Sequence, residues 1–191
     1  MKVPGINSFN LLLTLSFIIL LLTNACTQSN NSTHSESTVE KPKISIQSAI
    51  MSNNLEVVKQ HIEAGTDINM KDQMSGSTPL ISAVTFGKTE IVNALIDAKA
   101  DLTITNNDGA TALHAAAFFC RVEIVQLLID AKADKTIKNN FGATPRESIM
   151  GPFADMKPIY EMLQQQLGPL GLQLDLIEME KTRPVIAMML Q

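Results

Sequence analysis

His114 and Cys120 are the pair in this sequence whose side chains suit nucleophilic chemistry, an imidazole six residues from a thiol. Six residues of helix turn through about 600°, which puts the two on different faces and argues against a base activating a thiol. Asp97, Asp101, Asp130 and Asp134 have the type of cation ligands, but their spacing assigns each to a helix end or turn of its own. His61 falls at an apolar helix position and reads as a core or boundary residue, and His34 stands alone in a polar stretch. The sequence holds no phosphate-cradling glycine loop, metal-ligand spacing or paired-carboxylate signature. It therefore predicts no catalytic residue, no metal site and no cofactor. Cys26 and Cys120 are the two cysteines, which excludes a disulfide framework if Cys26 is modified.

The positions around these residues belong to a repeat. IDAKAD occurs at 96–101 and again at 129–134, 33 positions apart, and Gly76, Gly109 and Gly142 share that period with Thr78, Thr111 and Thr144. Ile91, Val92, Leu95 and Ile96 recur as Ile124, Val125, Leu128 and Ile129, spaced to fall on one helix face. A diverged earlier copy carries Val57, Val58, His61 and Ile62. Such a period marks stacked units, none of which buries its apolar face alone. Thr78 and Thr111 are placed to cap the first helix of a unit, with Pro79 suited to its first turn. Asn107, Asp108 and Gly109 form a turn signal, which puts hairpin-like loop tips at 104–109 and 137–142.

GSTPLISAV at 76–84 and GATALHAAA at 109–117, each followed by an EIV helix and an AD turn, resemble ankyrin repeats. The resemblance covers about residues 44–150. It implies an all-α ankyrin-repeat solenoid of about four helix-pair units with hairpin-like loops and a helical C-terminal cap. The units fall at about 44–75, 76–108, 109–141 and 142–167, the last with a second helix over about 157–167 built on Ile159, Met162, Leu163 and Leu167. In the family the histidine of the TPLH-type motif is structural, which assigns His114 that role. Lys99, Lys132 and Cys120 stand where ankyrin repeats usually have glycine. Residues 168–191 lie beyond the repeats and read as a cap or a methionine-rich docking segment, with a short last helix after Pro184.

Residues 11–22 form an apolar run of about a dozen after Lys2, shorter than the roughly 20 that a spanning helix needs, and this is the layout of a secretory leader over 1–25. LLTNAC at 21–26 resembles the lipobox of bacterial lipoproteins, although its leucine sits one place early. That resemblance implies lipidation at Cys26 and, with Thr27 next, retention at the outer membrane of the periplasm. Ordinary cleavage near Ala25 and an uncleaved anchor are the alternatives. Residues 26–43 are rich in Ser, Thr and Asn and read as a flexible tether.

With a net charge of −4 and no basic cluster, the chain is not suited to nucleic acid. What remains is a surface for another protein. Ankyrin repeats bind partners through loop tips and the exposed side of each first helix. The resemblance carries this to Ser82, Thr85 and Phe86 in one unit, to Phe118 and Phe119 in the next, and to Met74 and Phe141 near the tips. Phe119 reads equally as a ring tucked under a loop. Asn106, Asn107, Asp108, Lys138, Asn139 and Asn140 form the expected polar rim. The expectation is a non-enzymatic binding module for an unidentified protein, tethered in the bacterial envelope by lipid on Cys26. The alternative is a secreted ankyrin effector acting on a foreign or host protein.

Overall fold

A computed structural model describes residues 40–191. The leader, Cys26 and the tether up to residue 39 lie outside the described residues. Three helix pairs stack in chain order: α1 (Ile46–Met51) with α2 (Leu55–Glu63), α3 (Pro79–Thr85) with α4 (Thr89–Asp97), and α5 (Ala112–Phe118) with α6 (Val122–Asp130). The short first helices α1, α3 and α5 pack side by side, as do the longer α2, α4 and α6.

Local chemistry fixes the helix starts. The hydroxyl of Thr78 accepts from the Ile81 N–H at 3.2 Å, with Pro79 at the first helical position, where a missing N–H costs nothing. Thr111 does the same for α5. Alanines on the first helices (Ala83, Ala112, Ala116, Ala117) permit close approach, and Leu80, Leu113, Ile91, Ile124, Leu95 and Leu128 fill the core between layers. Burying each such aliphatic side chain contributes about 1.5–3 kcal/mol. His61 is buried, with its ring nitrogens on the Thr66 hydroxyl and the Ile44 carbonyl.

Each second helix ends on a left-handed residue: Gly65 (φ 66°), then Lys99 (65°), then Lys132 (66°). Each first helix ends likewise, on Asn53, Gly87 and Cys120. A lysine there carries about 1–2 kcal/mol of steric cost, against about 0.5–1 kcal/mol of chain entropy for glycine. Lys99→Gly is therefore expected to raise the melting temperature by about 1–3 °C in a thermal scan, and a clear fall would refute the strain argument.

The fourth unit departs from the expected helix pair. It begins as the others do, with Thr144 and Glu147 capping each other: the Thr144 N–H donates to the Glu147 carboxylate at 2.8 Å, and the Glu147 N–H to the Thr144 hydroxyl at 3.2 Å. Only a 3₁₀ turn, Glu147–Ile149, follows, because Gly151 and Pro152 prevent continuation. That turn rests on α5, while α8 (Leu176–Met189) packs on α6 and α5 and closes the array. Between them runs an excursion: α7 (Phe153–Leu167) and a 3₁₀ turn at Gly168–Leu170. The expected helix at 157–167 thus starts four residues earlier. Its inward row is Phe153, Met156, Tyr160, Leu163 and Leu167, with Tyr160 buried and the others half-buried, leaving Ile159 and Met162 outward. Pro184 lies inside α8 rather than before a short helix, on the exposed side where water can satisfy the freed Glu180 carbonyl. Among the described residues no helix is long and apolar enough to cross a membrane.

Candidate protein-contact surface

Three loop fingers project beside the first helices, each organised by one polar side chain. The Asp72 carboxylate accepts from the N–H groups of Met74, Ser75 and Ser77, each at 2.8 Å. Burial alone would raise its pKa, but these bonds and the Ser75 hydroxyl hold it below the usual carboxylate value. The Asn106 side-chain carbonyl accepts from the Asp108 and Ala110 N–H groups at 3.0 and 2.9 Å, and that of Asn139 from Phe141 and Ala143 at 3.0 and 3.1 Å.

A second set of bonds zips the fingers together. Asn107 donates its backbone N–H to the Ser75 carbonyl (2.9 Å) and its side-chain amide to the Met74 carbonyl (3.0 Å). One finger on, Asn140 donates to the Asp108 carbonyl and, through its side chain, to the Asn107 carbonyl, both at 2.9 Å. The four asparagines of the expected rim thus also hold the fingers together, Asn106 and Asn139 within a finger and Asn107 and Asn140, which stay exposed, between fingers. Asp108 and Lys138 remain as exposed charges.

Met74 is 93% exposed and Phe141 81% exposed at the finger tips. The aromatic residues at the first-helix ends are not open. Phe119 is buried, and Phe86 and Phe118 are half-buried against the excursion. The Phe118 ring lies 5.0 Å from Phe119, edge to face, and 4.9 Å from Tyr160. The Tyr160 hydroxyl donates to the Phe118 carbonyl at 2.8 Å. Ser82 and Thr85 are half-buried, with the Thr85 hydroxyl donating back to the Ile81 carbonyl. Phe119 is therefore tucked in, one of its two expected readings, and the expectation that Phe86 and Phe118 stand open for contact is corrected, because they pack half-buried against the cluster built around Tyr160. Tyr160, the one tyrosine of the chain, was the missed residue. Its three-four spacing with Phe153, Met156, Leu163 and Leu167 carried the signal.

His114 and Cys120 work separately. The His114 ring accepts the Thr111 N–H through Nδ1 (3.2 Å), and its Nε2 pairs with the Ala143 carbonyl (3.0 Å). The Cys120 thiol points its bond at the Phe118 carbonyl, and burial pushes its pKa up, the reverse of an activated nucleophile. Asp101 and Asp134 accept from Thr103 and Thr136, closing turns within their own units. Among the described residues no group of three His, Cys, Asp or Glu could hold a metal.

Comparison with known proteins decides which array this is. A family model of ankyrin repeats, three copies long, matches residues 46–139. The solenoid is an ankyrin-repeat array. It superposes on the crystal structure of the ankyrin repeat domain of Bcl-3, a member of the IkappaB protein family. That match has a TM-score of 0.53 and 30% identity, and covers 54% of this chain and 45% of that one. Over 61 residues, 32% of this chain, the sequence is 43% identical to human protein phosphatase 1 regulatory subunit 27 and 41% identical to its mouse counterpart. The match spans 39% of the length of each of these relatives. Ankyrin repeats of this kind form protein–protein interaction modules.

Proposed function

We propose that the chain is a non-enzymatic binding module of the bacterial cell envelope, lipid-anchored through Cys26 at the outer membrane, that holds a partner protein along its finger edge. The observation that carries the edge is the pair Met74 and Phe141, large apolar side chains presented to solvent on fingers whose backbones are locked by the asparagine ladder. Rigid exposed apolar anchors with charged neighbours, here Asp108 and Lys138, are what a protein contact needs. The name of the relatives, regulatory subunits of a phosphatase, agrees with action through a partner rather than catalysis. The anchor rests on the lipobox-like sequence ending at Cys26.

The test is photocrosslinking in a bacterium from a reactive residue at position 74 or 141, in chains with Cys26 and with Cys26→Ser. A discrete crosslinked protein in the membrane fraction is expected. Capture should fall about ten-fold or more in the Met74→Ser, Phe141→Ser double variant with helix content unchanged. Undiminished capture would sink the finger edge. Release of the unsubstituted chain into the medium, with no acyl mass, would replace the envelope reading with that of a secreted effector.

A further inference from the structure

The 3₁₀ turn Glu147–Ile149, the first residue of α7 and the second half of α8 enclose a cleft of about 380 Å³. Ile149, Phe153 and Ala187 give it apolar walls. Two guanidiniums line it, those of Arg146 and Arg183, against the single carboxylate of Glu180. The cleft is therefore apolar in its walls and positive in its charge.

Arg183 is the residue that needs an explanation. It is 5% exposed, and a guanidinium keeps its charge when buried. Arginine is seldom buried this far without a paired anion, because an uncompensated charge out of water is costly. Its Nη2 donates to the Ile149 carbonyl at 2.7 Å and the Gly151 carbonyl at 3.1 Å, and its guanidinium carbon lies 5.5 Å from the centre of the Phe153 ring. All three partners are neutral. Its Nη1 is buried with no acceptor at all. Among the described residues the ion pairs join Lys157 to Glu161 and Lys181 to Glu178, and neither involves Arg183. Holding two backbone carbonyls takes one nitrogen, so a purely structural role leaves the other arm of the fork unexplained.

Arg146 supplies a second positive group to the same cleft. It is half-buried, and its Nε donates to the Ala187 carbonyl at 3.1 Å. Its terminal nitrogens have no acceptor among the described residues. One anion in the cleft would balance the buried charge and give the unpaired N–H groups an acceptor. A carboxylate matches the planar fork of a guanidinium, and apolar walls favour an apolar body behind it. Small-ligand pockets run from roughly 300 to 1,000 Å³, so this cleft suits a group about the size of one amino-acid residue.

We infer that the cleft between the 3₁₀ turn and α8 is a binding site for a carboxylate carried on a compact apolar group, held by Arg183 and Arg146. Two sources present that chemistry, a small free acid and the C-terminal residue of a peptide. The site depends on neither the finger edge nor the lipid anchor.

The probes are N-acetyl-phenylalanine, its neutral C-terminal amide, inorganic phosphate, and a pentapeptide ending in phenylalanine with a free carboxylate. Each is titrated into the full chain, with affinity read by calorimetry and the arginine side-chain N–H signals followed by NMR. Saturable binding of the acid is expected, with shifts at Arg183 and Arg146 and binding of the amide at least about ten-fold weaker. Arg183→Met drops two backbone bonds and risks unfolding, so the deciding variant is Arg146→Gln. It should weaken the acid by about ten-fold with helix content unchanged. Equal binding of acid and amide, no saturable binding, or full affinity in Arg146→Gln would overturn the inference. Phosphate bound as tightly as the acid would overturn the carboxylate assignment in favour of an unselective anion site. A pentapeptide at least about ten-fold tighter than the acid assigns the source to a protein C-terminus, and equal affinity assigns it to a small free acid. The Met74→Ser, Phe141→Ser double variant should bind the acid normally, so failure of the finger edge and failure of this cleft are told apart.

Discussion

Gly109→Ala is expected to lower the melting temperature by about 5–10 °C, while Gly142→Ala, at nearly the same backbone angle, lowers it by roughly half as much or less. Both glycines are left-handed, at φ 72° and 76°, so alanine carries about 1–2 kcal/mol of steric cost at either position. Only Gly109 has a neighbour in the way. A Cβ there would stand 2.5 Å from the Asn140 side-chain oxygen and 2.8 Å from the Asn140 backbone nitrogen, whereas nothing lies within 4 Å of one on Gly142. The amide oxygen can swing aside, but the backbone nitrogen moves only by weakening its bond to the Asp108 carbonyl. That adds about 0.5–1.5 kcal/mol for the bond, plus the loss of finger packing. Paired thermal scans of the two variants measure the difference. Equal losses would show that the fingers are not tightly zipped.

His114→Ala is expected to cost about 2–4 kcal/mol, among the largest effects available to a single side chain here. The ring is 2% exposed and joins α5 to the fourth unit: it completes the cap at Thr111 and reaches the Ala143 carbonyl. Removing it leaves the Thr111 N–H and the Ala143 carbonyl without this partner. The effect has a pH signature. Burial holds the His114 pKa below its ordinary 6.5, with the Ala143 bond acting in the opposite direction. Between the folded value and 6.5 the unfolded chain binds more protons than the folded one, so stability rises with pH in that window. The full contribution is present above 6.5 and is lost as pH falls toward the folded value. Urea unfolding at pH 7.5 and 5.0 should show this loss in the unsubstituted chain and a smaller one in His114→Gln. An unchanged slope in the variant would assign the pH dependence to other groups.

Much of the array was legible because each signal is local or periodic. Thr78 and Thr111 cap because a hydroxyl three residues before a helical N–H has little else to do. Cys120 at a glycine position announced its left-handed backbone, observed at φ 53°. The last helix was legible in part. Asp175, whose carboxylate accepts from the Ile177 and Glu178 N–H groups, marks its start, and the Asp-x-x-Glu spacing was the available sign. Pro184 by its residue type reads as a breaker, although an exposed proline in a packed helix is tolerated when water reaches the freed carbonyl.

The asparagines and phenylalanines show the limit. Alignment of the repeats places Asn107 and Asn140 at finger tips, but whether an amide faces solvent or the next finger depends on stacking distance, which no single unit specifies. In the same way Phe118 reads as exposed within its own repeat, and it is covered by Tyr160, 42 residues away. The repeating residues by themselves determined the helix pairs, their caps, their left-handed ends and the stacked architecture, since each follows from contacts within a unit or with an identical neighbour. Which part of that surface stays open was decided by the tertiary structure alone. A non-repeating segment has no periodic partner to announce where it lies, and only the closure of the chain brought α7 onto the ends of the first helices and left the finger edge to solvent.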